Sequence, residues 1–135
     1  MKVSIVIPVY NSELIIPELC LQICDAMKKY KFEVILVNDS SYDNSWDEIK
    51  KACNKLSTFR GICLANNFGQ DNAIMAGLQS SQGDYVVIMD DDLQHSPYDI
   101  PILLDKISND WDVCYANFSA NKHQSWWKNI GSYIN

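Results

Sequence analysis

Apolar residues fall into short runs, and between them lie stretches with helical spacing. Residues 3–9 form an apolar run, closed by Pro8 and the turn-forming Asn11-Ser12. A helix is predicted next, with Pro17 in its first turn and Leu19, Ile23, Ala26, Met27 and Tyr30 on one face. Residues 32–37 read as a second strand that ends in Asn38-Asp39-Ser40-Ser41. Ser45 and Glu48 have the spacing of a capping box for a second helix, whose inner face is Trp46, Ile49, Cys53 and Leu56. Residues 61–65 predict a third strand and residues 70–80 a third helix, with Gly83 as its stop. Residues 85–89 predict a fourth strand, buried on both faces because four of its five residues are β-branched or aromatic. Pro97 or Pro101 starts a further helix, and residues 111–115 have the look of a fifth strand. Short strands separated by helices imply right-handed crossovers, a parallel sheet and helices on both of its faces.

The fourth run ends in three consecutive carboxylates, Asp90, Asp91 and Asp92, followed by Leu93, Gln94 and His95. Such crowding is repulsive unless a cation or a donor-rich ligand neutralises it. Asp90 and Asp92 lie two apart, so both can point one way, and Gln94 can add a neutral oxygen. An all-oxygen set of this kind suits Mg²⁺ or Mn²⁺, which commonly share their coordination shell with phosphates.

Charge and composition narrow the classes. A formal net charge of −6 over 135 residues argues against a general nucleic-acid binder. The five cysteines lack paired metal-ligand spacing and read as reduced, buried thiols of a cytoplasmic protein. Met1 leads straight into a strand, so no signal peptide is expected, and no apolar stretch reaches the length of a membrane span. A calcium loop beginning at Asp90 would need glycine and glutamate where His95 and Pro101 stand.

In open parallel sheets ligands bind beyond the carboxyl ends of the strands. Four polar clusters fall there: Pro8-Val9-Tyr10-Asn11, Asn38-Asp39-Ser40-Ser41, Asn66-Asn67-Phe68-Gly69-Gln70 and the aspartates. Asp39 can accept hydrogen bonds from a base or ribose, or serve as a turn residue. Tyr10 can stack on a base or pack in its loop. His95 can contact a phosphate or occupy a polar turn.

These clusters, with Ala76-Gly77-Leu78, Gly83-Asp84 and the segment Asp90-Asp91-Asp92-Leu93-Gln94-His95-Ser96-Pro97, resemble the family 2 glycosyltransferases. Within that family they are similar to the polyprenyl-phosphate branch. The resemblance implies a Rossmann-like GT-A fold, a three-layer α/β/α arrangement truncated at its C-terminal side. It also implies a nucleotide diphosphate-sugar donor (UDP, GDP or TDP), Mg²⁺ or Mn²⁺, inversion at the anomeric carbon and a polyprenyl phosphate acceptor in cell-surface glycan synthesis. Carried over by position, Pro8, Tyr10 and Asp39 would hold the nucleoside, and Asn11 would belong to the same nucleotide-binding set. Asp90, Asp92 and Gln94 would bind the metal, with Asp90 and Asp92 serving catalysis, and Asp91 would lie beside the ribose and diphosphate. Sugar nucleotidyltransferases share the architecture but carry a glycine-rich, arginine-containing loop after strand one, which Pro8-Val9-Tyr10-Asn11 is not.

The division expected is a nucleotide-sugar-binding domain over residues 1–118 and an aromatic and basic tail over residues 119–135. Trp126, Trp127, Ile130, Tyr133 and Ile134 stand there with Lys122, His123 and Lys128. Such a tail fits an interfacial helix at the inner face of a membrane, or one packed on the domain or on a second copy of the chain. Relatives tend to carry an arginine shortly after the fifth strand for the acceptor phosphate. Residues 115–119 have none, and Lys122 is the nearest substitute. These departures keep open a second function, nucleotide-sugar binding without turnover, and a third, transfer to a glycan hydroxyl.

Overall fold

The computed structural model describes residues 1–107 and 111–116. Its elements run β1 (Lys2–Val9), α1 (Ile16–Ala26), β2 (Lys31–Asn38), α2 (Ser45–Lys55), β3 (Phe59–Cys63), α3 (Gln70–Ser80), β4 (Tyr85–Ile88), a 3₁₀ turn (Pro97–Asp99) and α4 (Ile100–Lys106). The four strands form one parallel sheet in the order β3-β2-β1-β4. The strand order therefore reverses between β1 and β4, which opens a crevice at their carboxyl ends.

Alternation along the strands builds two apolar layers. Val3, Ile5, Ile7 and Val9 of β1, with Val34 and Leu36 of β2, meet Leu19 and Ile23 of α1, Ile49 of α2 and Ile100 and Leu104 of α4. Val6, Ile35 and Val37 face the other way, onto Ala73 of α3. The α/β/α layering expected from the sequence is present. Helix α3 lies very close to the sheet, because a Cβ built on Gly77 would fall 2.3 Å from Cγ1 of Val6.

Several expectations need correction. Strand β4 is an edge of the described sheet and is half-exposed, with Val86 41% and Ile88 51% accessible. Its apolar run reflects β-propensity and one half-buried face, that of Tyr85 and Val87, rather than two buried ones. Residues 111–115 carry no strand, and Trp111, Val113 and Tyr115 are exposed. Strand β3 begins two residues earlier than expected, at Phe59. The Ser45–Glu48 capping box is not formed. Ser45 is already helical, and its N–H donates to Oδ1 of Asp43 at 2.9 Å. Cys20 is buried, and burial beside Cys24 and Cys53 pushes its thiol up to about 12. Cys63 by contrast is exposed, because it sits on the β3 edge. The tail over residues 119–135 and the boundary at 118 lie outside the described residues. No described helix is long and apolar enough to cross a membrane.

Candidate functional site

Each of the four strands ends in a loop with one residue in the left-handed region: Asn11 (φ 52°), Ser40 (φ 56°), Gly69 (φ 91°) and Leu93 (φ 56°). Such residues turn the chain sharply away from the strand direction, and for Ser and Leu the conformation is strained by about 1 kcal/mol. Strain of this kind concentrates where a surface must be shaped, and here it marks one edge of the sheet.

At that edge a cleft of about 390 Å³ is lined by Pro8, Val9, Tyr10, Asp39, Asn67, Gly69, Gln70, Asp90, Asp91 and Asp92. Six of the residues assigned by resemblance therefore converge. Asn11 and Gln94 are not among the lining residues. The Asn11 side chain instead accepts from the Tyr42 N–H at 2.9 Å, and the Gln94 backbone N–H donates to Oδ1 of Asp92 at 3.0 Å. His95 faces a separate groove along β4, with Tyr85, Leu103 and Cys114. A larger depression of about 540 Å³ runs along α2 and carries no strand-end residue. Its charges are partnered locally, Asp47 with Lys50 and Glu48 with Lys51.

The carboxylates of the cleft are held in different ways. Asp39 is buried, and its two oxygens accept from the N–H groups of Phe68 (2.8 Å) and Gly69 (3.0 Å). It thereby fixes the entry to α3, where Gly69 precedes the first helical turn. From that turn Gln70 reaches across and donates from Nε2 to Asp90 at 2.8 Å. Oδ2 of Asp91 accepts from the Ser12 hydroxyl (2.5 Å) and the Tyr10 N–H (3.1 Å). Burial raises the Asp91 carboxyl above the usual carboxylate range, and these two donors offset only part of that. The described donors to Asp39, Asp91 and Asp92 are all neutral amide or hydroxyl groups. Tyr10 is 42% exposed and meets the Tyr42 ring edge-on, with centroids 6.4 Å apart.

Reading the sequence alone missed Ser12, Gln70 and Tyr42. Gln70 could have been found from its place in the polar cluster after β3. The pairing of Ser12 with Asp91 joins residues far apart in sequence and leaves no local signal.

Among the described residues no three His, Cys, Asp or Glu side chains form a metal-holding group. Mg²⁺ is commonly held by one or two carboxylates with substrate phosphates completing the shell. The Asp90 and Asp92 pair fits a cation shared with a ligand, not one caged by protein alone.

A parallel β3-β2-β1-β4 sheet between helical layers, with an acidic loop at the switch point, defines the GT-A class of transferase fold. The sequence profile described as "Glycosyl transferase family 2" matches residues 4–133, and the chain belongs to that family. It is 38% identical over 134 residues to an undecaprenyl-phosphate 4-deoxy-4-formamido-L-arabinose transferase of Aeromonas hydrophila, covering 96% of this chain and 40% of that protein. Residues 1–349 of S. aureus TarS, solved with UDP-GlcNAc, superpose with a TM-score of 0.59 at 35% identity, over 68% of this chain and 27% of that one. A mannosyltransferase of Pyrobaculum calidifontis, solved with GDP-Man and Mn²⁺, has a TM-score of 0.62 at 23% identity over 67% of this chain and 27% of its own. That last likeness speaks for the fold alone.

Proposed function

We propose that this chain is the donor-binding part of a metal-dependent, inverting glycosyltransferase that moves a sugar from a nucleotide diphosphate to a polyprenyl phosphate. The observation that carries the reading is the convergence of Tyr10, Asp39, Asp90 and Asp92 on one cleft at the strand-order reversal. The relative from Aeromonas hydrophila, named for transfer to undecaprenyl phosphate, supports the acceptor class.

In this reading Tyr10 and Asp39 receive the nucleoside, and Pro8 shapes the floor beneath it. Asp90 and Asp92 would hold Mg²⁺ or Mn²⁺, which when bound neutralises the diphosphate as negative charge develops on it. Gln70 orients Asp90 from the opposite wall. The acceptor oxygen attacks the anomeric carbon from the face opposite the diphosphate, and the sugar–phosphate C–O bond breaks with its electron pair leaving on the nucleotide. A phosphate acceptor is already an anion and needs little help from a general base. Asn11 and Gln94 keep their proposed roles only if their side chains turn into the cleft on ligand binding. Because the chain spans 40% of that relative's length, a second reading applies to these 135 residues taken alone: nucleotide-sugar binding without turnover.

Calorimetry with UDP and GDP, with and without Mn²⁺, tests the proposal. Wild type should bind one of them with metal-dependent affinity, and Asp92→Asn should lower that affinity about tenfold or more, roughly 1.4 kcal/mol. Equal affinity in the variant would remove Asp92 from the metal site.

A further inference from the structure

The middle aspartate of the acidic loop faces protein, not only the cleft. Its Oδ2 takes the Ser12 hydroxyl at 2.5 Å and the Tyr10 N–H at 3.1 Å. Ser12 is 7% exposed and is itself fixed from the other side, its N–H donating to the Ser45 hydroxyl at 2.8 Å. The Ser45 hydroxyl donates in turn to Oδ1 of Asp43 at 2.6 Å, and Oδ2 of Asp43 accepts from the Glu13 N–H at 3.1 Å. A continuous line of hydrogen bonds thus runs from the loop after β4, through the loop after β1, to the start of α2. Asp91 lies between Asp90 and Asp92, so its attachment fixes both neighbours relative to Tyr10.

We infer that Asp91 is a positioning residue: through Ser12 it holds the metal-binding half of the cleft at a set distance from the nucleoside-binding half, so that the two ends of a nucleoside diphosphate bind as one ligand. The inference rests on the reading of the cleft given under Proposed function. Two half-sites held in register add their affinities with the advantage of an intramolecular second contact, and that advantage falls when the connection slackens. The hydroxyl of Ser12 has a single proton. Its short contact to a half-buried carboxylate is a charge-assisted bond, the strong kind that fixes geometry.

The test separates the halves of the ligand. Using the full 135-residue chain, Mn²⁺·UDP and Mn²⁺·GDP are titrated by calorimetry, uridine and guanosine by NMR, and Mn²⁺ alone by electron paramagnetic resonance. Asp91→Ala and Ser12→Ala should each weaken the better Mn²⁺·nucleotide roughly ten- to hundredfold, the range of ordinary coupling between sites. Nucleoside alone and Mn²⁺ alone should change less than about twofold, because each half-site keeps its own contacts. The double variant should be no worse than either single one, and Asp91→Asn, which keeps an acceptor for Ser12, should recover most of the loss. If Asp91→Ala fails to fold, Ser12→Ala carries the test by itself. A matching loss on nucleoside alone would put Asp91 in contact with the ribose and overturn the inference. Unchanged Mn²⁺·nucleotide binding in both variants would overturn it as well. A wild type that binds neither nucleotide would instead overturn the reading of the cleft, and the inference with it.

Discussion

The two ends of the sheet both gather carboxylates, and they satisfy them in opposite ways. At the amino end Glu33 is 6% exposed and takes the Ser4 hydroxyl (2.7 Å), the Gln82 N–H (2.8 Å), the Arg60 guanidinium (2.9 Å) and the Lys2 ammonium (3.3 Å). Burial pushes its carboxyl up, but these donors and cations more than offset that and hold it below its ordinary range. At the carboxyl end the described donors to Asp39, Asp91 and Asp92 are amide and hydroxyl groups, and Asp91 sits above its ordinary range. A charge paired with cations inside the protein is finished. One held by neutral donors is oriented but not neutralised, and it remains available to a cation from outside. The contrast separates a carboxylate cluster paired with cations inside the fold from one held by neutral donors alone.

Removing charge from each end should break the symmetry. Glu33→Gln leaves Arg60 without its charged partner and should destabilise the fold by about 1–3 kcal/mol, the lower part of that range reflecting Arg60's partial exposure. Asp92→Asn should change stability by less than about 0.5 kcal/mol, or raise it slightly by relieving repulsion. Urea unfolding of the two variants beside wild type measures both. Similar losses at the two ends would erase the distinction.

Acid titration sharpens the same contrast. Because the folded protein holds Glu33 below its ordinary value of 4.5, its contribution is fully present above that value and is lost as pH falls through the lower folded value. Wild-type stability should therefore drop more steeply than that of Glu33→Gln between about pH 5 and pH 3. Thermal unfolding across that interval reads the slope, and parallel profiles would show that Glu33 gains nothing from its cations.

The smallest effect concerns the strained loops of the carboxyl end. Ser40 has φ 56°, and glycine reaches that conformation without steric strain. Ser40→Gly should raise stability by about 0.5 kcal/mol, the relief of strain slightly exceeding the added freedom of the unfolded chain. A loss of stability would mean that the Ser40 side chain supports the loop.

The sequence made the layering legible because β1 and β2 are central, and a central strand between two helical layers is apolar at nearly every position. The same reasoning misled at β4. Val86 and Ile88 have the residue types of a buried strand, but only the strand order reveals that they sit at an edge of the described sheet. Residues 111–115 have the residue types of a strand, yet a strand needs a neighbour to pair with, and pairing is not a local property. The polar clusters were legible because each follows a strand end. The bonds among them were not: Asp91 to Ser12 and Asp90 to Gln70 are fixed by the fold and join distant stretches of sequence. The capping reading failed for a related reason, since Asp43 takes the Ser45 N–H that the motif would have given to Glu48, and the Ser45 hydroxyl as well.

Helix α3 can slide and tilt on the sheet only as far as its contacts permit, and at Gly77 there is no clearance at all. Gly77 lies seven residues, about 10 Å along the helix axis, from Gln70. A bulkier residue at 77 would lift the helix about that contact point and swing Gln70 and the Gly69 N–H with it. The helix thus behaves as a rigid lever whose fulcrum is a missing side chain. The alignment of the acidic loop with the opposite wall of the cleft depends on a position outside the cleft lining.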